Sequence, residues 1–175
     1  CLEEIGIAFL FAPNLHLAMH YVATARKQIA QRTIFNILGP LINPARARNQ
    51  LVGVYSKELV RPLAEVLHNL GSDHILVVHG ADGLDEITTT DKTFVTEVVG
   101  RVVRDYEIVP EDFGFQRASS NDLLGGSIGQ NVKIAQDILA GKPGSRRDIV
   151  LFNAGCAIYA ANKTDTIAKG IKLAQ

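Results

Sequence analysis

Residues 51–80 read LVGVYSKELVRPLAEVLHNLGSDHILVVHG. Two short apolar runs, 51–56 and 74–80, bracket a stretch in which Leu59, Leu63, Val66, Leu67 and Leu70 recur at helical spacing. Ser56 is placed to cap a helix over 57–70, Glu58 falls in its favourable first turn, and Gly71 supplies the stop. Strand, helix, strand at this spacing is a βαβ unit, so the two strands are expected to be parallel neighbours under helical cover. The fold class follows: α/β.

Downstream, TFVTEVV (93–99) and RVVRDYEIV (101–109) flank the lone Gly100. They predict a hairpin whose alternation points to a partly solvated sheet face. PEDFG (110–114) reads as a turn. Three helical patterns follow, the first from Ser127 to Gly141, the second from Ser145 through Asn162, the third from Thr164 or Asp165 onward. Upstream, IAFLFAP (7–13) is a continuous apolar run closed by Pro13 and suits a buried strand. Residues 15–30 then fit a helix with Leu15, Met19, Val22 and Ile29 on one stripe. The expected architecture is a mainly parallel central sheet with an antiparallel addition and flanking helices.

The 175 residues suffice for one domain with its own core. Eighteen basic residues balance eighteen acidic ones, so no global charge favours nucleic acid or an anionic membrane as partner. No apolar stretch approaches the roughly 18–20 residues that cross a bilayer. Two cysteines, Cys1 and Cys156, read as reduced thiols of a cytoplasmic protein. Cys156 lies in the small apolar run NAGCAIYAA with no basic neighbour, which argues against a catalytic thiol. The chain opens at Cys1 without a Met or a signal-peptide leader and stops at IKLAQ inside an uncapped helical pattern. Both ends predict a piece of a longer chain.

The chemistry concentrates in HGADGLDEITTT (79–90), where a Gly-rich turn carrying Asp82, Asp85 and Glu86 follows a buried strand. Ligands of open parallel sheets bind beyond the carboxyl ends of the strands. Three carboxylates within five residues repel unless something positive compensates them, and Mg²⁺ with oxygen ligands would do so. A solvated acidic turn is the competing reading. Arg26 can grip a carboxylate or phosphate through two parallel hydrogen bonds, or stand as an ordinary surface charge beside Lys27 and Arg32. His16 and His20 are four apart but lack the glutamate of zinc-protease helices, and His79 reads as a structural residue. Gly125-Gly126 precede a helix and read as a loop that starts it.

Five segments carry a resemblance: RTIFNILGPLINPA from residue 32, then QLVGVYS, VVHGADGLDE, EDFGF and RRDIVLFNA. In order and spacing they resemble the anthranilate phosphoribosyltransferase family of tryptophan biosynthesis. Nucleoside phosphorylases of the same superfamily share a form of the first block. The resemblance implies transfer of phosphoribose from phosphoribosyl pyrophosphate to the amine of anthranilate, with Mg²⁺ and release of pyrophosphate. It implies that Arg26 binds the anthranilate carboxylate, that Gly39, Pro13 and His16 line the same site, and that Asp85 and Glu86 hold the metal. It implies a homodimer built on an N-terminal helical domain. That domain and the family's upstream phosphate-binding motifs have no counterpart in these 175 residues, which read as a single α/β domain portion. A phosphorylase acting on a pyrimidine nucleoside, or a non-catalytic ligand-binding α/β module, are the alternatives. The resemblance also suggests why RTIFNILGPLINP mixes apolar and turn residues. It is expected to be a loop packed into the core that lines a pocket. Gly39 would let a ligand approach the backbone, and Pro40 and Pro44 would stiffen the path. Asn36 and Asn43 would bond buried backbone.

Overall fold

The run HILVVHG forms a strand along its whole length, because every one of its side chains finds cover. In the computed structural model β2 spans His74–Gly80 and all seven residues are buried. The structure describes residues 2–15, 21–22, 28–29, 31 and 33–175, with the backbone alone at 12 and 13. Two compact units divide the chain, residues 1–46 and residues 47–175.

The second unit holds a four-stranded sheet in the order β1-β2-β3-β4. Strand β1 (Asn49–Gly53) pairs with β2 in parallel, Leu51 opposite Leu76. Strands β3 (Thr93–Val99) and β4 (Val102–Ile108) form the expected hairpin about Gly100, whose φ of 55° suits glycine. β3 runs antiparallel to β2, with Val95 opposite Val78. The sheet is therefore mixed: among the described residues its parallel part is the β1–β2 pair, and the antiparallel addition supplies the rest.

Helices cover both faces. The expected first helix is a 3-10 turn (Lys57–Leu59) running into an α-helix, Val60–Asn69. Its Val60, Leu63, Ala64 and Leu67 are buried against β2 and β3. Ser56 stands at the N-cap position, but its hydroxyl turns to the Glu58 carboxylate instead of a helix N–H. On the opposite face Leu76, Val78, Val95 and Ile108 pack with Phe152, Cys156 and Ala160 of the helix Ser145–Ala160 and with Ile171 of the helix Ile167–Ala174. In chain order the α-helices with both ends among the described residues are α1 (Leu2–Ile5), α2 (Ala12–Leu15), α3 (Leu38–Leu41), α4 (Val60–Asn69), α5 (Ser120–Leu123), α6 (Ile128–Leu139), α7 (Ser145–Ala160) and α8 (Ile167–Ala174). Helices α7 and α8 touch backbone to backbone: a Cβ on Gly155 would lie 2.6 Å from the Ile171 nitrogen. That contact explains the small residues of NAGCAIYAA.

Burial also settles Cys156. It is fully enclosed, and burial first, then the nearby Glu97 charge, pushes its thiol far above the ordinary range. Cys156 is expected to resist alkylation by iodoacetamide in the native protein and to react once unfolded, as read by peptide mass spectrometry.

In the first unit the apolar run 7–13 is not a strand. Residues 7–11 lack regular structure, α2 begins at Ala12, and Phe9 is 88% exposed. A strand needs a partner for its N–H and C=O groups, and among the described residues of the first unit no strand forms to supply one. The expected helix over 15–30 is helical at residues 15, 21–22 and 28–29; Met19 lies outside the described residues. The segment 33–44 forms a 3-10 turn (Ile34–Asn36) and α3, and none of its residues is buried. Its asparagines serve exposed local turns and not buried backbone. The Asn36 Oδ1 accepts from the Thr33 N–H at 2.9 Å, and the Asn43 Oδ1 from the Ala45 N–H at 3.0 Å. Among the described residues no helix is long and apolar enough to cross a membrane.

Candidate active site

The turn after β2 is built by backbone first. The Gly80 N–H donates to Leu84 O at 2.8 Å, the Gly83 N–H to Gly80 O at 2.9 Å, and the Ala81 N–H to Lys92 O at 2.9 Å. Gly83 takes a φ of 94°, which a side chain would strain. Inside this frame the three carboxylates part ways. Asp82 bonds within the loop: one oxygen accepts from the Leu84 N–H at 3.1 Å, the other from the hydroxyls of Thr88, at 2.6 Å, and Thr90. Burial alone would raise its pKa, but these hydrogen bonds outweigh it and hold the carboxyl below the usual range. The charge of Asp82 is thus compensated by the TTT run, which is irregular chain with Thr88 and Thr89 fully buried.

Asp85 and Glu86 face solvent, and among the described residues neither has a hydrogen bond or ion pair. Partial desolvation, then the charges of Asp85 and Asp82, push the Glu86 carboxyl up. A cation between the two side chains would relieve that repulsion. No group of three or more His, Cys, Asp or Glu side chains among the described residues could form a protein cage for a metal. Two free, hard oxygen donors fit Mg²⁺, which is held by one or two carboxylates when phosphate supplies the other ligands.

The pair is seated from two sides. At the end of β1, a Cβ on Gly53 would fall 1.5 Å from Asp85 O. From α7, the Asn153 side chain brackets Ile87: its Oδ1 accepts from the Ile87 N–H at 3.0 Å and its Nδ2 donates to Ile87 O at 2.7 Å. Beside Glu86 lies a cleft of about 340 Å³, walled by Leu84, Leu123, Ile134, Ile149 and Val150, with Arg146 on its rim. Arg146 donates to Leu124 O at 2.8 Å.

Other candidates resolve differently. His79 is structural, its Nδ1 donating to Val54 O at 2.8 Å across the parallel pair. The N-terminus of α6 is closed by its own residues, with Ser127 and Gln130 forming a reciprocal cap and the Gly126 N–H bonded to Asn131 at 2.8 Å. No anion is needed there. Gly39 is exposed in α3 with nothing within 4 Å of a Cβ position, so among the described residues there is no packing reason for a glycine. Pro13 lies in α2; His16, His20 and Arg26 lie outside the described residues.

One polar cluster has no signal in the sequence. His74, 3% exposed, meets Glu97 through Nε2 at 3.0 Å and Asn162 through Nδ1 at 2.7 Å, and the Tyr159 hydroxyl donates to the same Glu97 oxygen at 2.7 Å. Burial, then the Glu97 contact, pushes Tyr159 up to about 12. The cluster lies at the start of β2, at the far end of that strand from the acidic turn, and ties α7 to the sheet.

The full chain, residues 1–175, matches the model of the glycosyl transferase family, a/b domain. It is 52% identical over 176 residues to the anthranilate phosphoribosyltransferase of Rubrobacter xylanophilus, covering 100% of this chain and 52% of that protein. The crystal structure of anthranilate phosphoribosyltransferase from Thermus thermophilus superposes with a TM-score of 0.91 at 41% identity, covering 99% of this chain and 51% of that one. The Saccharomyces cerevisiae enzyme in complex with PRPP and Mg gives a TM-score of 0.80 at 28% identity, covering 91% and 46%. The chain spans about half the length of the curated relatives it matches.

Proposed function

We propose, from its membership of the glycosyl transferase family whose a/b domain matches residues 1–175, that the intact protein to which this chain belongs is an anthranilate phosphoribosyltransferase. It would transfer 5-phosphoribose from PRPP to the amine of anthranilate and release pyrophosphate. The observation that carries this reading is the unpartnered Asp85–Glu86 pair beyond the carboxyl end of β2, within a chain half identical to enzymes of that name. In this proposal the 175 residues are the larger part of the α/β domain of a cytoplasmic homodimer, and the rest of the PRPP site lies elsewhere in the protein.

The aromatic amine of anthranilate is largely neutral at pH 7 and needs little help from a base. The demanding step is departure of pyrophosphate as positive charge develops on the ribose. Asp85 and Glu86 would hold Mg²⁺, which when bound supplies charge neutralisation for the leaving diphosphate. Arg26 would fix the anthranilate carboxylate, with Gly39, Pro13 and His16 beside it, so that the amine faces the ribose. No nucleophile–base pair is required, and no covalent intermediate on the protein is expected.

Two assays on the intact protein test the reading. Anthranilate with PRPP is expected to yield pyrophosphate, and a pyrimidine nucleoside with phosphate to yield no turnover. The reverse pattern would make the protein a phosphorylase, and no turnover in either would favour a binding module. Arg26→Ala is expected to raise the KM for anthranilate about 10- to 100-fold, the loss of a charged hydrogen-bond pair worth about 1.5–3 kcal/mol. The KM for PRPP should change little. An unchanged anthranilate KM would remove Arg26 from the site.

A further inference from the structure

Asparagine is a poor residue for a helix interior, yet Asn153 sits in the middle of α7. Its amide does there what a neighbouring strand would do. It takes the Ile87 N–H at 3.0 Å and gives to Ile87 O at 2.7 Å, across 66 residues of sequence. The same Nδ2 also donates to Ile149 O at 2.9 Å within its own helix, so the carboxamide has one orientation that satisfies all three contacts. Ile87 itself is anchored in the core, fully buried with Phe152 and Cys156. Its N-terminal neighbours are the two acidic residues, and the Gly53 backbone backs Asp85 from the other side. Asp85 and Glu86 have no side-chain partner of their own among the described residues. The direction in which they point is therefore set by the backbone, and the backbone is held by Asn153.

We propose that Asn153 is a positioning residue, pinning the Ile87 peptide so that Asp85 and Glu86 present their carboxylates together to a divalent cation carried on a diphosphate. This rests on the function proposed above. Residues that orient metal ligands without touching the metal typically change metal affinity or activity by about 10- to 100-fold when replaced.

The test uses the intact enzyme and two variants. Asn153→Leu removes all three contacts at similar volume. Asn153→Asp keeps the acceptor for the Ile87 N–H and loses the donor, which also serves if the leucine variant does not fold. The first readout needs no metal or substrate: amide exchange in peptides covering 84–90 is expected to speed up at least about tenfold, with β2 and β3 unchanged. The second is the Mg²⁺ concentration for half-maximal turnover, expected to rise about 10- to 100-fold in Asn153→Leu and less in Asn153→Asp, at a constant anthranilate KM. Unchanged exchange would overturn the pinning. Faster exchange with an unchanged Mg²⁺ requirement would overturn the positioning role, as would an equal rise in the anthranilate KM. A wild-type enzyme with no Mg²⁺-dependent turnover would overturn the function itself and the purpose given to Asn153. That result is read from the wild-type arm before any variant is compared.

Discussion

Replacing Gly53 by alanine is expected to damage both stability and turnover, although it adds one methyl group to a strand that tolerates β-carbons elsewhere. The new Cβ would stand 1.5 Å from Asp85 O and 2.4 Å from its carbonyl carbon. Both are backbone atoms of a segment that Asn153 and the core hold on the other side, so neither can yield cheaply. Overpacking of this kind costs about 1–3 kcal/mol, and more where backbone must move. Either β1 separates from β2 or the 84–87 segment lifts, and the second route takes the acidic pair with it. Chemical denaturation should show the lower midpoint. Turnover measured under folded conditions should fall by more than about tenfold, because the proposed metal ligands would be displaced. A variant of full stability and activity would mean that Gly53 does not set the position of Asp85.

The second large effect concerns the pair directly. Asp85→Asn with Glu86→Gln keeps shape and hydrogen-bonding size but removes both charges. Neutralising a leaving diphosphate with a metal is worth several kcal/mol, and losing about 3–4 kcal/mol lowers kcat/KM by about 10²–10³-fold. Stability should move the other way. The Glu86 carboxyl is pushed up, so between the ordinary glutamate value and its folded value the native state binds the extra proton. Stability of the wild type then falls as pH rises through that window. The double variant lacks this loss and should be at least as stable at neutral pH. An inactive variant that is also unfolded would assign the residues to the fold instead of the site.

How far these features are legible in the sequence depends on whether each one is local. β2 is legible to the residue because a short apolar run in a βαβ setting suits only a buried strand. Gly100 marks the hairpin for the same local reason. The run 7–13 is as apolar, yet residues 7–11 lie exposed without regular structure, because a strand exists only with a partner, which the run itself does not specify. In RTIFNILGPLINP the asparagines are expected to serve buried backbone and instead close exposed turns three and two residues away. The acidic loop is visible as three like charges, but composition cannot say which of them is satisfied. Asp82 is, by hydroxyls six and eight residues on; Asp85 and Glu86 are not. Asn153, Gly53 and the His74–Glu97–Tyr159 cluster act across tens of residues of sequence. A glycine in a strand and an asparagine in a helix read locally as weak points. One hint exists for Asn153, a helix-disfavouring amide within the apolar helix RRDIVLFNA.

The half-length match shapes what the chain can do alone. The Rubrobacter and Thermus proteins are each about twice as long. In the proposed reaction these residues would contribute the acidic pair of Asp85 and Glu86, its seat, and the strand end that places it.

The most direct measurement is a Mg²⁺ titration of the loss of anthranilate fluorescence in the presence of PRPP, run on the intact wild type and on the Asp85→Asn/Glu86→Gln variant. The expected result is an absolute Mg²⁺ requirement in the wild type and a curve displaced to much higher Mg²⁺, with a far lower plateau, in the variant. Superimposable curves would contradict the assignment of this loop as the metal-holding element.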